Sequence, residues 1–292
     1  MHDSFSNMER AQVLTEALPY IKHYNGQIVV IKYGGNAMIN EELKQQVMED
    51  VVLLHLIGVK VVLVHGGGPE ISGMLKKVGK EAVFVDGLRV TDAETVDIVQ
   101  MVLAGKINKT LVKLLESKGG KAMGISGIDG HMIDCEIKDE RLGYVGEIKK
   151  VDVQPILDLL EKDYIPVIST VGCDLEGNTY NVNADTAAAY LAGALAAERL
   201  ITMTDILCVM MDPKDPESVI PMIDLKDAQD LFDSGVISGG MIPKVQSCID
   251  AIHFGVNKVT VLDGRVPHAV LMELLTDEGA GTMVVRDKYN LG

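Results

Sequence analysis

Two lysines, one aspartate and two glycine clusters carry the clearest chemical potential in this sequence. Lys32 ends the apolar run Ile28-Val29-Val30-Ile31 and is followed closely by Gly34-Gly35, and a second apolar run, Val59 to Val64, leads into His65-Gly66-Gly67-Gly68-Pro69. A glycine turn between a strand and a helix leaves N–H groups unpaired, and with the helix dipole it makes a nest for an anion. Either turn could therefore hold a phosphate or a carboxylate. Neither matches G-x-x-x-x-G-K-[ST] or G-x-G-x-x-G, so a P-loop and a Rossmann dinucleotide fingerprint are unsupported. A lone Gly-Gly fits a tight turn as well as a binding site, but three consecutive glycines exceed the steric demand of a turn, which favours function for Gly66 to Gly68.

Lys32 sits at the carboxyl end of its strand, the end at which open α/β sheets bind ligands. Lys244, in Ser238-Gly239-Gly240-Met241-Ile242-Pro243-Lys244, falls near a helix start, where its charge opposes the dipole unless an anion sits there. Either lysine alone reads as a solvated surface residue; with the glycine turns, the two favour phosphate chemistry. Asn181-Val182-Asn183-Ala184-Asp185 enters an alanine-rich helix, and one Asn or Asp there is an ordinary N-cap. Three are more than one cap needs. Asp185 could orient a lysine or ligate Mg2+, and an Asn amide could bond a substrate carboxylate or amide. His65 has no Ser or Cys nucleophile motif nearby and reads as structural; the 15 methionines read as core filler.

The elements that must position these residues alternate. Apolar spacing predicts a helix from Asn7 to Tyr24, then strand, turn and a helix from Glu41 to Ile57, then strand, turn and a helix from Glu70 to Val78. Thr91-Asp92-Ala93-Glu94 has the form of a capping box and opens a helix through Leu103 that breaks near Gly105 and resumes to Leu115. Further strands are expected at Ala122–Ile125, Ile165–Ile168, Leu200–Met203, Val259–Leu262 and Met283–Val285. The matching helices are Val153–Leu160, Ala184–Ala197, Met241–Phe254 and His268–Leu275, and Met132 to Lys150 reads as hairpins. Such alternation predicts an open three-layer αβα sandwich around a largely parallel sheet, with an extra N-terminal helix. No Pro/Gly/Ser-rich linker divides it, so two lobes would share one sheet, with the boundary best drawn at Cys173 to Tyr180.

Composition excludes other classes. The 292 residues are 47% hydrophobic and 24% charged, ordinary for a folded globular chain. No apolar stretch approaches the roughly 20 residues of a membrane span, and Met1 to Arg10 lacks a signal-peptide core. A net charge of −15, from 27 basic and 42 acidic residues, argues against nucleic acid or anionic lipid as partner. The dispersed Cys135, Cys173, Cys208 and Cys248 support neither a disulfide framework nor a zinc site and fit a reducing cytoplasm.

As a set, Ile31-Lys32-Tyr33-Gly34-Gly35-Asn36-Ala37-Met38, His65-Gly66-Gly67-Gly68-Pro69-Glu70, Gly87-Leu88-Arg89-Val90-Thr91, Tyr180-Asn181-Val182-Asn183-Ala184-Asp185 and Gly239-Gly240-Met241-Ile242-Pro243-Lys244 resemble the motifs of the N-acetylglutamate kinases of the amino acid kinase family, in family order. The resemblance implies an N-terminal oligomerisation helix (1–25), an N-terminal lobe binding N-acetyl-L-glutamate and forming dimers (26–176), and a C-terminal lobe binding ATP (177–292). It implies phosphorylation of the γ-carboxylate in the second step of arginine biosynthesis, with Mg2+ carried by ATP and no metal held by the protein alone. Carried over by motif, Lys32 and Lys244 stabilise the transition state and Asp185 holds them. Gly67, Gly68, Arg89 and Asn181 bind the acetylated amino acid, Arg89 through its α-carboxylate. Gly34, Gly35 and Gly66 cradle phosphate oxygens, and Thr204, Asp205, Ser238 and Gly239 contact the nucleotide. The absence of a general base agrees with this, because a carboxylate is already ionised at pH 7.

The N-terminal helix and Glu278-Gly279-Ala280-Gly281-Thr282-Met283 resemble those of arginine-inhibited hexameric members, trimers of dimers, with Tyr20, Glu278 and Gly281 as effector-site candidates. A PII-type signalling protein is a further conceivable partner. Two departures from the family pattern stand out, Ile128 where relatives carry lysine and Leu207-Cys208 in place of a glycine after Thr-Asp. The rivals are a sister kinase of another carboxylate, such as an acylated aminoadipate, and a non-catalytic arginine sensor. Retention of Lys32, Asp185 and Lys244 argues against the sensor.

Overall fold

In the computed structural model, residues 6–205, 209–212, 215 and 218–289 are described, apart from the side chain of Asn36; Leu207 and Cys208 lie outside them. Eight strands form one sheet, in the order Met222–Asp224, Gly281–Val285, Lys258–Asp263, Arg199–Thr204, Ile28–Tyr33, Lys60–His65, Ile165–Ser169, Ala122–Ser126. Neighbours pair in parallel except Lys258–Asp263 with Gly281–Val285. The alternation of a strand sends successive side chains to opposite faces. Val29, Ile31, Tyr33, Val61 and Leu63 pack into one core, and Val30, Val62, Val64 and Leu200 into the other. Helices cover both faces, because strands with no polar face cannot meet water on either side. The result is the three-layer αβα sandwich.

Chain order decides where the turns gather. From Ile28–Tyr33 the chain moves to one side of the sheet through Lys60–His65, then returns across it to place Arg199–Thr204 on the other side of the first strand. The carboxyl ends of these strands thus flank a topological switch point, where a crevice opens. A second, four-stranded sheet over Ile133–Ile137, Gly146–Val151, Val171–Cys173 and Thr179–Asn181 builds the expected hairpins. Its last two strands pair antiparallel across Cys173 to Tyr180 and deliver Asn181 to the crevice.

Three local expectations change. The N-terminal helix is two, Asn7–Glu16 and Leu18–Tyr24, with Pro19 in the first turn of the second; proline cannot donate into a continuing helix, so it starts one instead. The helix at Ala93–Gln100 is capped by Asp92, whose carboxylate accepts from Thr95 N. Thr91 is not its cap; it is fully buried and its hydroxyl donates to Arg89 O at 2.8 Å. The expected break near Gly105 is a π-helical segment, Met101–Ile107, leading into Asn108–Ser117. The strand Met222–Asp224 and helix Leu225–Asp233 were not anticipated, since a three-residue strand offers too little alternation to detect.

Candidate functional site

The crevice is a cavity of about 250 Å3 bordered by both glycine turns, Lys32, Arg89, Asn181 and Asp185. Lys32 is 7% exposed and its Nζ lies 2.8 Å from Asp185 Oδ1. Burying an ammonium demands a countercharge, and the helix Ala184–Ala194 supplies it from its first turn. Asn183 is the cap of that helix, its Oδ1 accepting from Asp185 N and Thr186 N, each at 3.0 Å. One of the three polar residues therefore starts the helix, and Asn181 and Asp185 are left for the cavity. Asn181 donates to Thr91 Oγ1 at 3.2 Å.

Lys244 stands in the first turn of Ile242–His253, half-buried, and borders the outer mouth of the crevice beside Asp185, Gly240 and Ser247, a cavity of about 410 Å3. Burial lowers the Lys244 pKa against the pull of Asp185, and the neighbouring Lys32 charge lowers it further. Burial works to raise the Asp185 pKa, yet the charges of Lys32 and Lys244 hold it below the usual carboxylate range. The two lysines and the aspartate are thus one electrostatic unit, with Lys32 in contact and Lys244 acting through space.

Arg89 approaches from the short strand Leu88–Arg89, 6% exposed. Its Nη2 donates to Gly68 O at 2.9 Å and to Ser72 Oγ at 2.8 Å, and the guanidinium lies 4.7 Å from the centre of the Phe84 ring. Its Nη1 is buried with no hydrogen-bond partner among the described residues. An oriented guanidinium that lines a cavity and keeps an unsatisfied N–H is prepared for an anionic ligand.

Gly67 and Gly35 leave no room for a side chain. A Cβ on Gly67 would fall 2.2 Å from Ile107 Cδ1 and 2.7 Å from Leu103 Cδ2, both on the π-helical segment. A Cβ on Gly35, at φ +69°, would fall 2.2 Å from Asp205 Oδ1. Asp205 therefore lies against the first glycine turn, and Thr204 ends the adjoining strand. Ser238 and Gly239 begin the turn before the Lys244 helix, with Gly239 at φ +52°.

The amino acid kinase family model matches residues 27–263. An acetylglutamate kinase of Brachyspira hyodysenteriae is 52% identical over 98% of this chain and 100% of its own, and one of Clostridioides difficile is 51% identical over 96% and 99%. This chain belongs to the amino acid kinase family. Within that family it is an enzyme of the acetylglutamate kinase type. Among solved structures, an N-acetylglutamate synthase from Neisseria gonorrhoeae, complexed with coenzyme A and N-acetyl-glutamate, superposes with a TM-score of 0.82 at 24% identity, covering 98% of this chain and 64% of that one. Carbamate kinase from Giardia lamblia bound to AMP-PNP gives 0.67 at 18%, covering 90% and 99%. At such identities the likeness is one of fold.

Away from the crevice of this amino acid kinase, Tyr20, Glu278 and Gly281 border a separate cavity of about 300 Å3 with Asp277 and Glu273. The Tyr20 hydroxyl donates to Asp277, an unforeseen partner. The floor holds the buried pair Arg199–Glu273 at 2.9 Å. Sequence spacing could not find Ser72, Asp277 or Glu273, because one polar residue within a helix or loop carries no pattern. Ile128 packs against the core on one face of the sheet, where an apolar residue costs nothing to bury. Among the described residues no helix is long and apolar enough to cross a membrane.

Proposed function

We propose that this protein transfers the γ-phosphoryl group of ATP to the γ-carboxylate of N-acetyl-L-glutamate, giving N-acetyl-L-glutamyl 5-phosphate and ADP, in arginine biosynthesis. The observation that carries the proposal is that buried Arg89, its Nη1 without a partner among the described residues, lines the same cavity as the Lys32–Asp185 pair. One end of the cavity suits a carboxylate and the other a phosphoryl group.

In this reaction a carboxylate oxygen forms a bond to the γ-phosphorus while the bond from that phosphorus to the β–γ bridging oxygen breaks, and ADP leaves with the electron pair. No proton need be removed from the nucleophile. What remains is alignment and neutralisation of charge on the phosphoryl oxygens. Arg89 binds the α-carboxylate; Gly67, Gly68 and Asn181 line the part of the cavity that takes the acetylamino portion. Lys32 and Lys244 face the phosphoryl charge from its two sides, and Asp185 keeps them there. Gly34, Gly35 and Gly66 offer backbone N–H groups, and Thr204, Asp205, Ser238 and Gly239 hold the nucleotide, whose Mg2+ arrives with it as MgATP. The lobes join through both sheets, 26–176 taking the acceptor and 177–292 the donor.

The cavity at Tyr20, Glu278 and Gly281 supports feedback inhibition by L-arginine, with Asp277 and Glu278 as carboxylates for a guanidinium. The exposed Met8, Val13, Leu14 and Leu18 of the N-terminal helices, 56–81% accessible, support a hexamer in which residues 1–25 link dimers. The synthesis belongs in the cytoplasm.

The test is to mix purified protein with MgATP and N-acetyl-L-glutamate, trap acyl phosphate as the hydroxamate, and repeat with free glutamate, N-acetylaminoadipate and added arginine. Hydroxamate from N-acetylglutamate alone, diminished by arginine, is expected. None from any carboxylate, with arginine still bound, would replace the kinase by an arginine sensor.

A further inference from the structure

The second glycine turn is held from behind by a buried network. His65 closes the strand Lys60–His65 and is fully buried. Its Nδ1 lies 2.9 Å from the Gly66 carbonyl oxygen. That oxygen can only accept, so Nδ1 carries the hydrogen. Its Nε2 lies 3.3 Å from Asn108 Nδ2. The Asn108 amide is oriented by its other neighbours: Nδ2 donates to Val167 O at 2.8 Å and Ile125 O at 3.2 Å, and Oδ1 accepts from Lys109 Nζ at 3.0 Å. Both hydrogens of Nδ2 have carbonyl partners and an amide nitrogen cannot accept, so an N–H on His65 Nε2 would face no acceptor there, and Nε2 is bare. Both ends of the ring specify one neutral tautomer, and burial, which pushes the imidazole down to about 4, keeps it neutral at pH 7.

A trans peptide is planar, with its C=O and N–H on opposite sides. Turning the Gly66 carbonyl toward the His65 ring turns the Gly67 N–H away from it. Among the described residues that N–H has no backbone partner. Both glycines border the cavity that holds Lys32 and Asp185, and a Gly-Gly peptide has no side chain to resist flipping. Asn108 is itself wedged, since a Cβ on Gly124 would fall 1.9 Å from its Oδ1. It ties His65 to two further strands, Ile165–Ser169 and Ala122–Ser126.

We propose that His65, locked by Asn108, is a positioning residue that fixes the Gly66–Gly67 peptide so that its N–H donates to the transferring phosphoryl oxygens. The proposal rests on the kinase function above. It assigns the histidine no proton transfer; the ring acts by aiming a backbone donor.

The test has two arms. In the first, His65→Phe, which keeps a ring and loses the donor, is compared with His65→Asn, whose amide N–H can replace Nδ1–H. Loss of a donor used only in the transition state lowers kcat about 10²-fold with KM within about threefold, and His65→Asn should regain at least about tenfold of the loss. A His65→Phe enzyme with kcat within about threefold of wild type, or a His65→Asn enzyme no better than it, would overturn the proposal. In the second arm, 15N NMR of the unaltered protein should find His65 protonated at Nδ1, with a coupling across the bond to the Gly66 carbonyl carbon. The Nε2–H tautomer would overturn the proposal even if both variants unfold. Absence of hydroxamate from the wild-type protein would overturn the kinase function itself, an outcome the NMR arm does not share.

Discussion

Each residue at the crevice is constrained by what its charge or shape would cost elsewhere. Lys32 is tolerable at 7% exposure because Asp185 lies 2.8 Å away, and Asp185 stays ionised because two ammonium groups outweigh its burial. This makes Lys244 testable. Under the proposed mechanism Lys244→Ala removes a donor that meets the phosphoryl charge, and turnover should fall roughly 10²-fold or more. Unchanged kcat in the hydroxamate assay would remove Lys244 from the mechanism. The lysines, glycines, Arg89 and Asn181 were all visible as types in a pattern. Ser72 and Phe84, which orient Arg89, were not, since what they do depends on a partner 17 or 5 positions away meeting them in space.

Elements translate those residues into geometry. The helix Ala184–Ala194, capped by Asn183, carries Asp185 to Lys32. Asn183→Ala should cost about 1 kcal/mol of stability, read as a lower urea midpoint at unchanged slope. A second joint ties Glu41–Leu56 to Ala269–Leu275, where Asp50 Oδ1 lies 2.6 Å from His268 Nδ1 and Asp50 is fully buried. Burial outweighs the histidine and raises the Asp50 pKa to about 6 from 3.8. The folded chain thus binds this proton more tightly than the unfolded one. Its contribution to stability is complete below 3.8 and is lost as pH rises through about 6. Thermal midpoints of wild type and Asp50→Asn between pH 5 and pH 7.5 check this: relative to the variant, wild type should lose stability as pH rises. A difference that stays flat, or grows in favour of wild type, would contradict the sign. The π-helical segment at Met101–Ile107 was legible only as a break near Gly105, because the sequence marks a disturbed helix without saying how the backbone absorbs it.

Across the whole molecule, one sheet joins both halves and a pair of short helices extends from it. The helix Asn7–Glu16 buries no residue within this chain, so its apolar side chains have no intramolecular reason to be there. Under the proposed assembly and feedback, deleting residues 1–25 should leave dimers in sedimentation where the full chain gives hexamers, and should weaken arginine inhibition, with basal turnover retained. Hexamers persisting without the segment would assign assembly to another surface. The acidic balance of the chain belongs to this scale too, since a net charge of −15 leaves anionic substrates to be attracted by the local cations at the crevice.

By itself the sequence determined the alternation of strands and helices, the αβα layering, the glycine turns and the charged residues beside them. These follow from local chemistry: side-chain period, turn sterics and the cost of burying charge act within a few positions of each other. The tertiary structure alone decided that Lys32 meets Asp185, that Arg89 leans on Ser72 with one nitrogen unpaired among the described residues, that Tyr20 reaches Asp277 and that Asn108 meets His65. Those contacts join residues up to 257 positions apart. They exist because strand order across the sheet brings distant carboxyl ends to one crevice, a consequence of packing two hydrophobic faces at once that no local window contains.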